Sequence, residues 1–573
     1  MLNFYDFEVF KNDWLVVIMN PIDKTECVIV NNSEELKEYY EAHKSEIWVG
    51  YNSQHYDQFI LKGILLDFDP KEINDYIIAK GQPGWKFSSL FRKLQLFNYD
   101  VMYRNDRGLK SLEGFMGNNI KETSVPFDID RKLTSDEITE TIKYCRHDVQ
   151  QTIEVFLERQ SDFDAQMGLV KMFNLPLSNI SKSKSQLSAM ILDAHRPSIS
   201  RNDEFDISFP NTLIINKYKD VIDWYKDENN HDYSKSLKID VAGVETIFGW
   251  GGIHSAKPKY SGEGYYLNMD VASLYPSLMI VYNLHSRNIS NPQKFVDIYN
   301  NRLKYKAEKN PLQLPLKTLL NSTYGAMKDK NNNLYDPLMA NNICIHGQLL
   351  ILDLIEKLEP VCEIIQSNTD GILIKMKRYE DFDLIDDIVY EWEQRTGLKM
   401  EFDEFKKVFQ KDVNNYIMIP NGELYDEKGK PRWKAKGAYV KKLNALDYDL
   451  PIVNEALVNF MIKGQSVEDT INGCDELKKF QKIVKVSGKY KHAIHNGEIL
   501  SEKCFRVFAS NRTTDGEIRK FKDESRNPEK FANTPEKCFV FNEDVKNVKT
   551  PKYLDRSWYI NIAKERLNQF GVI

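Results

Sequence analysis

Residues 265–277 read YYLNMDVASLYPS, and residues 363–376 read EIIQSNTDGILIKM. The first is an aromatic and aliphatic run of the kind that fills a buried strand, with Asp270 near its end. The second holds two apolar runs, Glu363 to Gln366 and Ile372 to Met376. They flank Ser367-Asn368-Thr369-Asp370-Gly371, whose residue types are those of a tight turn. That predicts a strand–turn–strand carrying Asp370. Between the two stretches, Pro292 to Glu308 reads as a basic helix, Lys309-Asn310-Pro311 as a break and Leu312 to Lys328 as a second helix. Because 47 positions separate Asp270 from Lys317, the pair must be a compact helical hairpin. Arg302 and Lys306 lie four apart and share a helix face, while Lys317 stands on the opposing helix with Asn321 and Tyr324 continuing its face. After Asn331-Asn332-Asn333 a further helix runs through Leu349, Leu350 and Ile351.

Upstream, Phe4 to Phe10 and Trp14 to Met19 read as strands, Ser33 as the cap of a helix beginning at Glu34, and Ile47 to Tyr51 as another strand. A helix starting near Ser135 carries Ile138, Ile142, Cys145, Val149 and Ile153 at helical spacing. This alternation predicts an α/β domain over the first 160 residues, with a polar stretch from Ser181 to Ser188 leading out of it. Asp6 and Glu8, two apart on a strand, point to one face. Buried acids there are costly unless neutralised or bound to metal. Asp57 precedes the apolar run Phe59-Ile60-Leu61, and Asp148 lies one helical turn beyond Tyr144. Four such acids could clamp two divalent cations, one activating a water and one stabilising a leaving oxygen, with Tyr144 orienting the water. Asp270 and Asp370, with the Val271 carbonyl, could do the same for a bridging triphosphate. Each fragment taken singly is more often an ion pair or a solvated helix face, so the weight rests on the ordered set.

The chain has 573 residues, enough for about three to five domains of ordinary size. With 42% hydrophobic residues it is too apolar to be disordered. It shows no uninterrupted apolar run that would span a bilayer and no basic start followed by the apolar core of a secretion signal. Seven scattered cysteines, none in C-x-x-C, argue against a disulfide framework or a zinc ribbon. An intracellular protein is expected. The net charge of −6 is uneven: residues 471–573 carry 21 Lys+Arg against 14 Asp+Glu, which leaves the first 470 residues at −13. A basic terminal region on an acidic body suits a chain that grips a polyanion with one part and holds cations with another.

Asp6-Phe7-Glu8, N-x-x-x-Y-D from Asn52 to Asp57 and Y-x-x-x-D from Tyr144 to Asp148 together resemble the pattern of DnaQ-like 3′–5′ proofreading exonucleases, over roughly residues 1–160. The resemblance implies a ribonuclease-H-like fold with Asp6, Glu8, Asp57 and Asp148 as metal-site acids. It places Tyr144 beside the water and Asn52 and Tyr56 near a primer 3′ end. Further on, D-V-A-S-L-Y-P-S from Asp270, K-T-L-L-N-S-T-Y-G from Lys317 and N-T-D-G from Asn368 resemble motifs A, B and C of family B DNA polymerases, closest to the short bacteriophage type.

That second resemblance implies an α/β and α+β multidomain protein, an exonuclease domain followed by a right-hand polymerase. The expected parts are a 3′–5′ exonuclease domain over 1–185, a linker and first part of the palm over 186–290 and short helical-hairpin fingers over 291–330. A second part of the palm over 331–446 and a thumb and DNA-gripping region over 447–573 complete it. Asp270, Val271 and Asp370 would hold two Mg²⁺, as Asp6, Glu8, Asp57 and Asp148 would at the other site, with Mn²⁺ as a substitute. Tyr275 would stack beneath the incoming sugar and select deoxynucleotides. Arg302, Lys306 and Lys317 would hold the triphosphate, Asn321 and Tyr324 would line the nascent pair, and Thr369, Lys436 and Tyr439 would meet primer-terminal DNA. The implied partners are primer–template DNA, single-stranded DNA and dNTPs, with replication accessory proteins as candidates and no membrane. The implied location is cytoplasmic, in a bacterial host.

Two departures matter. The family pattern in motif C is D-T-D, whereas Asn368 keeps an oxygen acceptor and loses the charge. Asp270 and Asp370 should still suffice. The 47-residue spacings from Asp270 to Lys317 and from Asn321 to Asn368 leave no room for the insertions by which protein-primed relatives hold a terminal protein and encircle DNA. Extension of a nucleic-acid primer, with weaker strand displacement, is therefore expected. Gly249-Trp250-Gly251-Gly252 resembles the Y-x-G-G linker element without its tyrosine. Two alternatives compete: an exonuclease whose polymerase half has decayed into a DNA-binding module, and a non-enzymatic DNA-binding scaffold. Asp270, Tyr275, Lys317 and Asp370 standing together weigh against both.

Overall fold

Five strands begin the chain: β1 (Leu2–Val9), β2 (Trp14–Asn20), β3 (Thr25–Val30), β4 (Ile47–Gly50) and β5 (Phe97–Asp100). They order as β3-β2-β1-β4-β5. The β1–β2 and β2–β3 pairs are antiparallel, and β1–β4 and β4–β5 are parallel. The period of two along β1 sends Phe4, Asp6 and Glu8 to one face and Tyr5, Phe7 and Val9 to the other. The second face packs on Leu36 and Tyr40 of the helix Ser33–His43 and on Phe59 and Ile60 of the helix Asp57–Leu65. The first packs on Cys145, Val149 and Phe156 of the helix Ser135–Glu158. Thr134 starts that helix in a capping box with Glu137, which satisfies N–H groups the helix cannot. At the earlier helix the expected cap moves by one residue: Asn32, not Ser33, accepts the Glu35 N–H at 3.2 Å.

The computed structural model describes residues 1–522 and 527–572; residues 523–526 and 573, within the C-terminal region read from sequence as 447–573, lie outside the described residues. Packing divides the chain into two compact units, each built from separate segments. The first unites Met1–Lys182, Leu443–Ile452 and Ile471–Tyr559; the second unites Ser183–Lys442, Val453–Thr470 and Ile560–Ile573. Residues 447–573 contribute to both units, and their share of the first lies in its core. Ile483 and Cys504 complete the apolar layer beneath Phe4, Val149 and Phe156. Arg506, fully buried, donates to the carbonyls of Gly114 and Asn118 at 3.1 and 2.7 Å, to the Glu543 carbonyl at 2.6 Å and to Gln481 Oε1 at 2.9 Å. Burial pushes its pKa down to about 10.

The second unit holds an antiparallel sheet of β6 (Ser236–Val241), β7 (Val244–Gly249), β8 (His254–Ala256), β9 (Tyr260–Val271), β10 (Glu363–Asn368), β11 (Gly371–Met376), β12 (Met400–Asp412), β13 (Asn415–Pro420) and β14 (Lys434–Lys436). Its order is β14-β13-β12-β9-β11-β10-β8-β7-β6. The hairpin expected from sequence is present as helices Gln293–Ala307 and Gln313–Met327, which pack on each other. The helix Pro337–Leu358 is long and apolar enough by composition to cross a membrane, but Asn341, Asn342, His346, Gln348 and Asp353 interrupt its apolar run and 94% of its most apolar window is buried inside the fold. Two of its polar residues are held internally. Gln348 donates to the Gly249 and Gly251 carbonyls, and Asp353 accepts from Arg395.

Candidate functional site

In the first unit, β1 carries Asp6 and Glu8 toward the helix Ser135–Glu158, where Cys145 Sγ lies 3.3 Å from the Asp6 carbonyl and 3.7 Å from its Oδ2. Asp57 arrives as the first residue of its helix, and its Oδ1 accepts the Phe7 N–H at 3.2 Å. Glu8, Asp57 and Asp148 are buried. Loss of water, then the charges of Asp57, Glu8 and Asp148, hold the Asp6 pKa well above the carboxylate range. Loss of water and then Asp148 do the same to Glu8. Burial raises Asp57 to about 7 and Asp148 to about 6. Lys110 answers part of this charge: its Nζ pairs with Asp148 Oδ1 and, at 3.0 Å, with Glu113 Oε1, and it lies 4.5 Å over the Tyr144 ring. His147 Nε2 stands 3.3 Å from Glu113 Oε2. Among the described residues the side chains close enough to share one cation are Asp6, Glu8 and Cys145 and, separately, Glu113, His147 and Asp148, with Asp57 in neither group; the carboxylates in both are hard oxygen donors suited to divalent cations. Burial, and then the charges of Asp6, Glu8 and Asp148, hold the Cys145 thiol well above its ordinary pKa.

The loop before Asp57 is shaped by Asp100 at the end of β5, whose carboxylate accepts the N–H groups of Asn52, Gln54 and Met102, each at 2.9 Å. Asn52 sits in the left-handed region at φ 63°, which an Asx side chain tolerates. Tyr56 OH donates to Asn74 Oδ1 at 2.8 Å.

In the second unit, β9 and β11 pair with Asp270 opposite Gly371. A Cβ on Gly371 would meet Asp270 Oδ1 at 2.2 Å, so the turn can approach the carboxylate only through glycine. Thr369 in the same turn has φ 54°, a costly conformation for a β-branched residue and one kept where geometry is constrained. Loss of water and then Asp270 raise the Asp370 pKa, while Lys436 and Lys434 pull it down. Asn268 Nδ2 holds Asp270 Oδ2 at 2.7 Å. Lys434 Nζ bridges Asp270 Oδ2 at 3.0 Å and Asp403 Oδ2 at 2.7 Å.

Beside the acids is a cleft of about 280 Å³ lined by Ser273, Tyr275, Asn321, Tyr324, Thr369 and Asp370 among others. The Tyr275 and Tyr324 rings lie 4.3 Å apart. Below them Tyr324 OH meets Cys344 Sγ at 2.6 Å, and Lys328 Nζ donates to the Trp250 carbonyl at 3.2 Å. Arg302 turns inward and donates to Ser273 Oγ at 2.9 Å. Lys306, on the same helix, stays exposed with Glu401 at 3.8 Å, and Lys317 is exposed on the partner helix. Lys436 lies opposite Tyr416 in the β13–β14 pair, and the Tyr439 ring has Lys411 Nζ at 5.3 Å and the Arg566 guanidinium at 4.3 Å from its centroid.

Several of these residues escape sequence reading. Lys110 and Glu113 share a helix face by their i,i+3 spacing, but nothing local relates them to Asp148, 38 positions away. Asp403 alternates with Glu401 on β12, an unremarkable strand pattern, and acquires meaning only through Lys434 and Asp270.

No protein-family model matches the chain. Over 205 residues, 35% of this chain, it is 24% identical to a protein named DNA polymerase 1 from Sulfurisphaera ohwakuensis, and the match covers 21% of that relative's length. Among solved structures, the family B DNA polymerase from the hyperthermophilic archaeon Pyrobaculum calidifontis matches with a TM-score of 0.44 and 13% identity, covering 100% of this chain and 78% of that one.

Proposed function

We propose that this chain is a DNA-directed DNA polymerase of the short family B type, extending a nucleic-acid primer with dNTPs at Asp270 and Asp370 and editing 3′ ends at Asp6, Glu8, Asp57 and Asp148. The observation that carries the reading is the presence of two separate carboxylate sites, one in each unit. At the first, residues from three distant stretches converge, and the charges of Asp57 and Asp148 add to the loss of water in raising the Asp6 and Glu8 pKa values. At the second, Asp270 on β9 stands opposite Gly371, the first residue after the β10–β11 turn that carries Asp370. The local similarity to a relative named as a DNA polymerase points the same way.

Asp6, Glu8, Asp57 and Asp148 would hold one pair of Mg²⁺ ions, and Asp270, Asp370 and the Val271 carbonyl the other. Bound there, such ions lower the pKa of an attacking water or hydroxyl and stabilise the leaving oxygen. The chain's own residues do the positioning. Tyr144, with Lys110 over its ring, borders the first site. The Tyr275–Tyr324 pair floors the cleft beside Asp370, where a ring packed against the sugar leaves no space for a 2′-hydroxyl. Arg302, Lys306 and Lys317 supply cations for the triphosphate. Thr369, Lys436 and Tyr439 are assigned to primer-terminal DNA, and Asn52 and Tyr56 to the strand being edited. The β9–β11 sheet serves as palm and the hairpin as fingers, with the basic C-terminal region gripping duplex phosphates.

The test is extension of a labelled primer–template with Mg²⁺, with and without dNTPs. Synthesis should disappear in Asp370→Ala alone and primer degradation in Asp6→Ala alone. Asn368 favours a second reading, a nuclease whose synthetic half is inactive. Degradation without extension, even in Asp6→Ala supplied with Mn²⁺, would establish it.

A further inference from the structure

Between Asp75 and Asp100 the chain carries Lys80, Lys86, Arg92 and Lys93 and no acidic residue. This segment is built onto the helix that begins at Asp57. A Cβ on Gly84 would meet the Phe59 ring at 2.3 Å, so the backbone there lies flat against it. Phe91 packs on Phe59 and Phe87 on Phe68, with ring centroids 5.7 and 5.6 Å apart. These rings anchor the segment without using its tryptophan. Trp85 is 51% exposed and Ile78 65%, and Lys80, Lys86, Arg92 and Lys93 of the same segment are all exposed. Lys86 Nζ lies 5.4 Å over the indole. Among the described residues, none of the four cations is held in an ion pair.

We propose that this surface binds single-stranded nucleic acid, with Trp85 stacking on a base and Lys80, Lys86, Arg92 and Lys93 taking the flanking phosphates. A flat indole costs little entropy to stack, every base offers a π-face, and exposed cations in a segment without acids match a phosphate backbone. An acidic protein could use the cations, but it has no base to set on the indole. The direction of the strand rests on the nuclease reading: the segment is seated on the helix that presents Asp57, so a strand held here is one whose end reaches the Asp6–Asp148 site.

The full-length chain, carrying Asp6→Ala so that the probe is not degraded, is titrated against a labelled oligothymidylate and followed by fluorescence anisotropy. Trp85→Ala should weaken binding about tenfold or more, with Trp85→Phe recovering most of it and thermal unfolding unchanged in both. Reversal of Lys86, Arg92 and Lys93 to glutamate should reduce the salt dependence of the logarithmic affinity by about two. Unchanged affinity in Trp85→Ala overturns the proposal. So does weakening by charge reversal alone with heparin competing equally well, since that describes a general polyanion surface. Degradation of the same probe by the chain with Asp6 intact is scored separately. Its absence would count against the nuclease reading while leaving a Trp85-dependent binding surface standing.

Discussion

Asp57 and Asp148 retain protons to about 7 and about 6 because water has been taken from them, while backbone donors at Asp57 and Lys110 at Asp148 limit the rise. Their folded pKa values stand above those of the unfolded chain. Their contribution to stability is therefore complete below about pH 4 and lost as the pH rises through 6 to 7. The first unit, freed of divalent ions by chelation, should unfold several degrees lower at pH 8 than at pH 5. Millimolar Mg²⁺ should close that gap, and Asp57→Asn should flatten it; a pH series by calorimetry reads all three. Degradation should correspondingly need more metal as the pH falls below 7, because protons and cations compete for the same oxygens. Gly371 poses a steric question. Gly371→Ala places a methyl group within 2.2 Å of Asp270 Oδ1 and should cost synthesis about a hundredfold or more, with degradation unaffected in the same primer assay.

The helix Pro337–Leu358 has the composition of a membrane span and the environment of a core. Within it His346 is buried against Tyr282, with Nδ1 unpartnered and its pKa pushed down to about 4 by loss of water. The unfolded chain protonates this imidazole first. Stability is therefore lost as the pH falls from about 6.5 to 4, by about 3 kcal/mol in all. His346→Phe should remove that dependence, seen as the difference between variant and parent unfolding curves across this range. The hairpin helices were legible from their break at Lys309-Asn310-Pro311 and their 15-residue lengths. Which way Arg302 turns was not legible: i,i+4 spacing puts it beside Lys306 on one face, but Ser273 draws the guanidinium inward.

The first unit depends on residues from both ends of the chain. A fragment of residues 1–185 lacks Ile483, Cys504 and Arg506, and so leaves apolar surface and the Gly114 and Asn118 carbonyls uncovered. It should be insoluble or unfold far below the full chain. Arg506→Met should destabilise the first unit by about 3 kcal/mol or more, because the carbonyls lose their donor. Degradation should then be lost at lower temperature than synthesis, measured by heating before each assay.

Local pattern determined a good deal of this protein: the strands around Asp6 and Asp270, the capped helix carrying Tyr144 and Asp148, the hairpin, and the tight turn at Asp370. In each, the period of side chains and the chemistry of caps and turns act within a few residues. Tertiary structure alone decided the rest. It put Lys110 and Glu113 beside Asp148, brought Lys434 and Asp403 to Asp270, set Cys344 beneath the tyrosine pair and folded residues 471–559 into the N-terminal unit. Those contacts join stretches tens to hundreds of positions apart. They are selected by burial and charge compensation in the assembled core, which no short window of sequence contains.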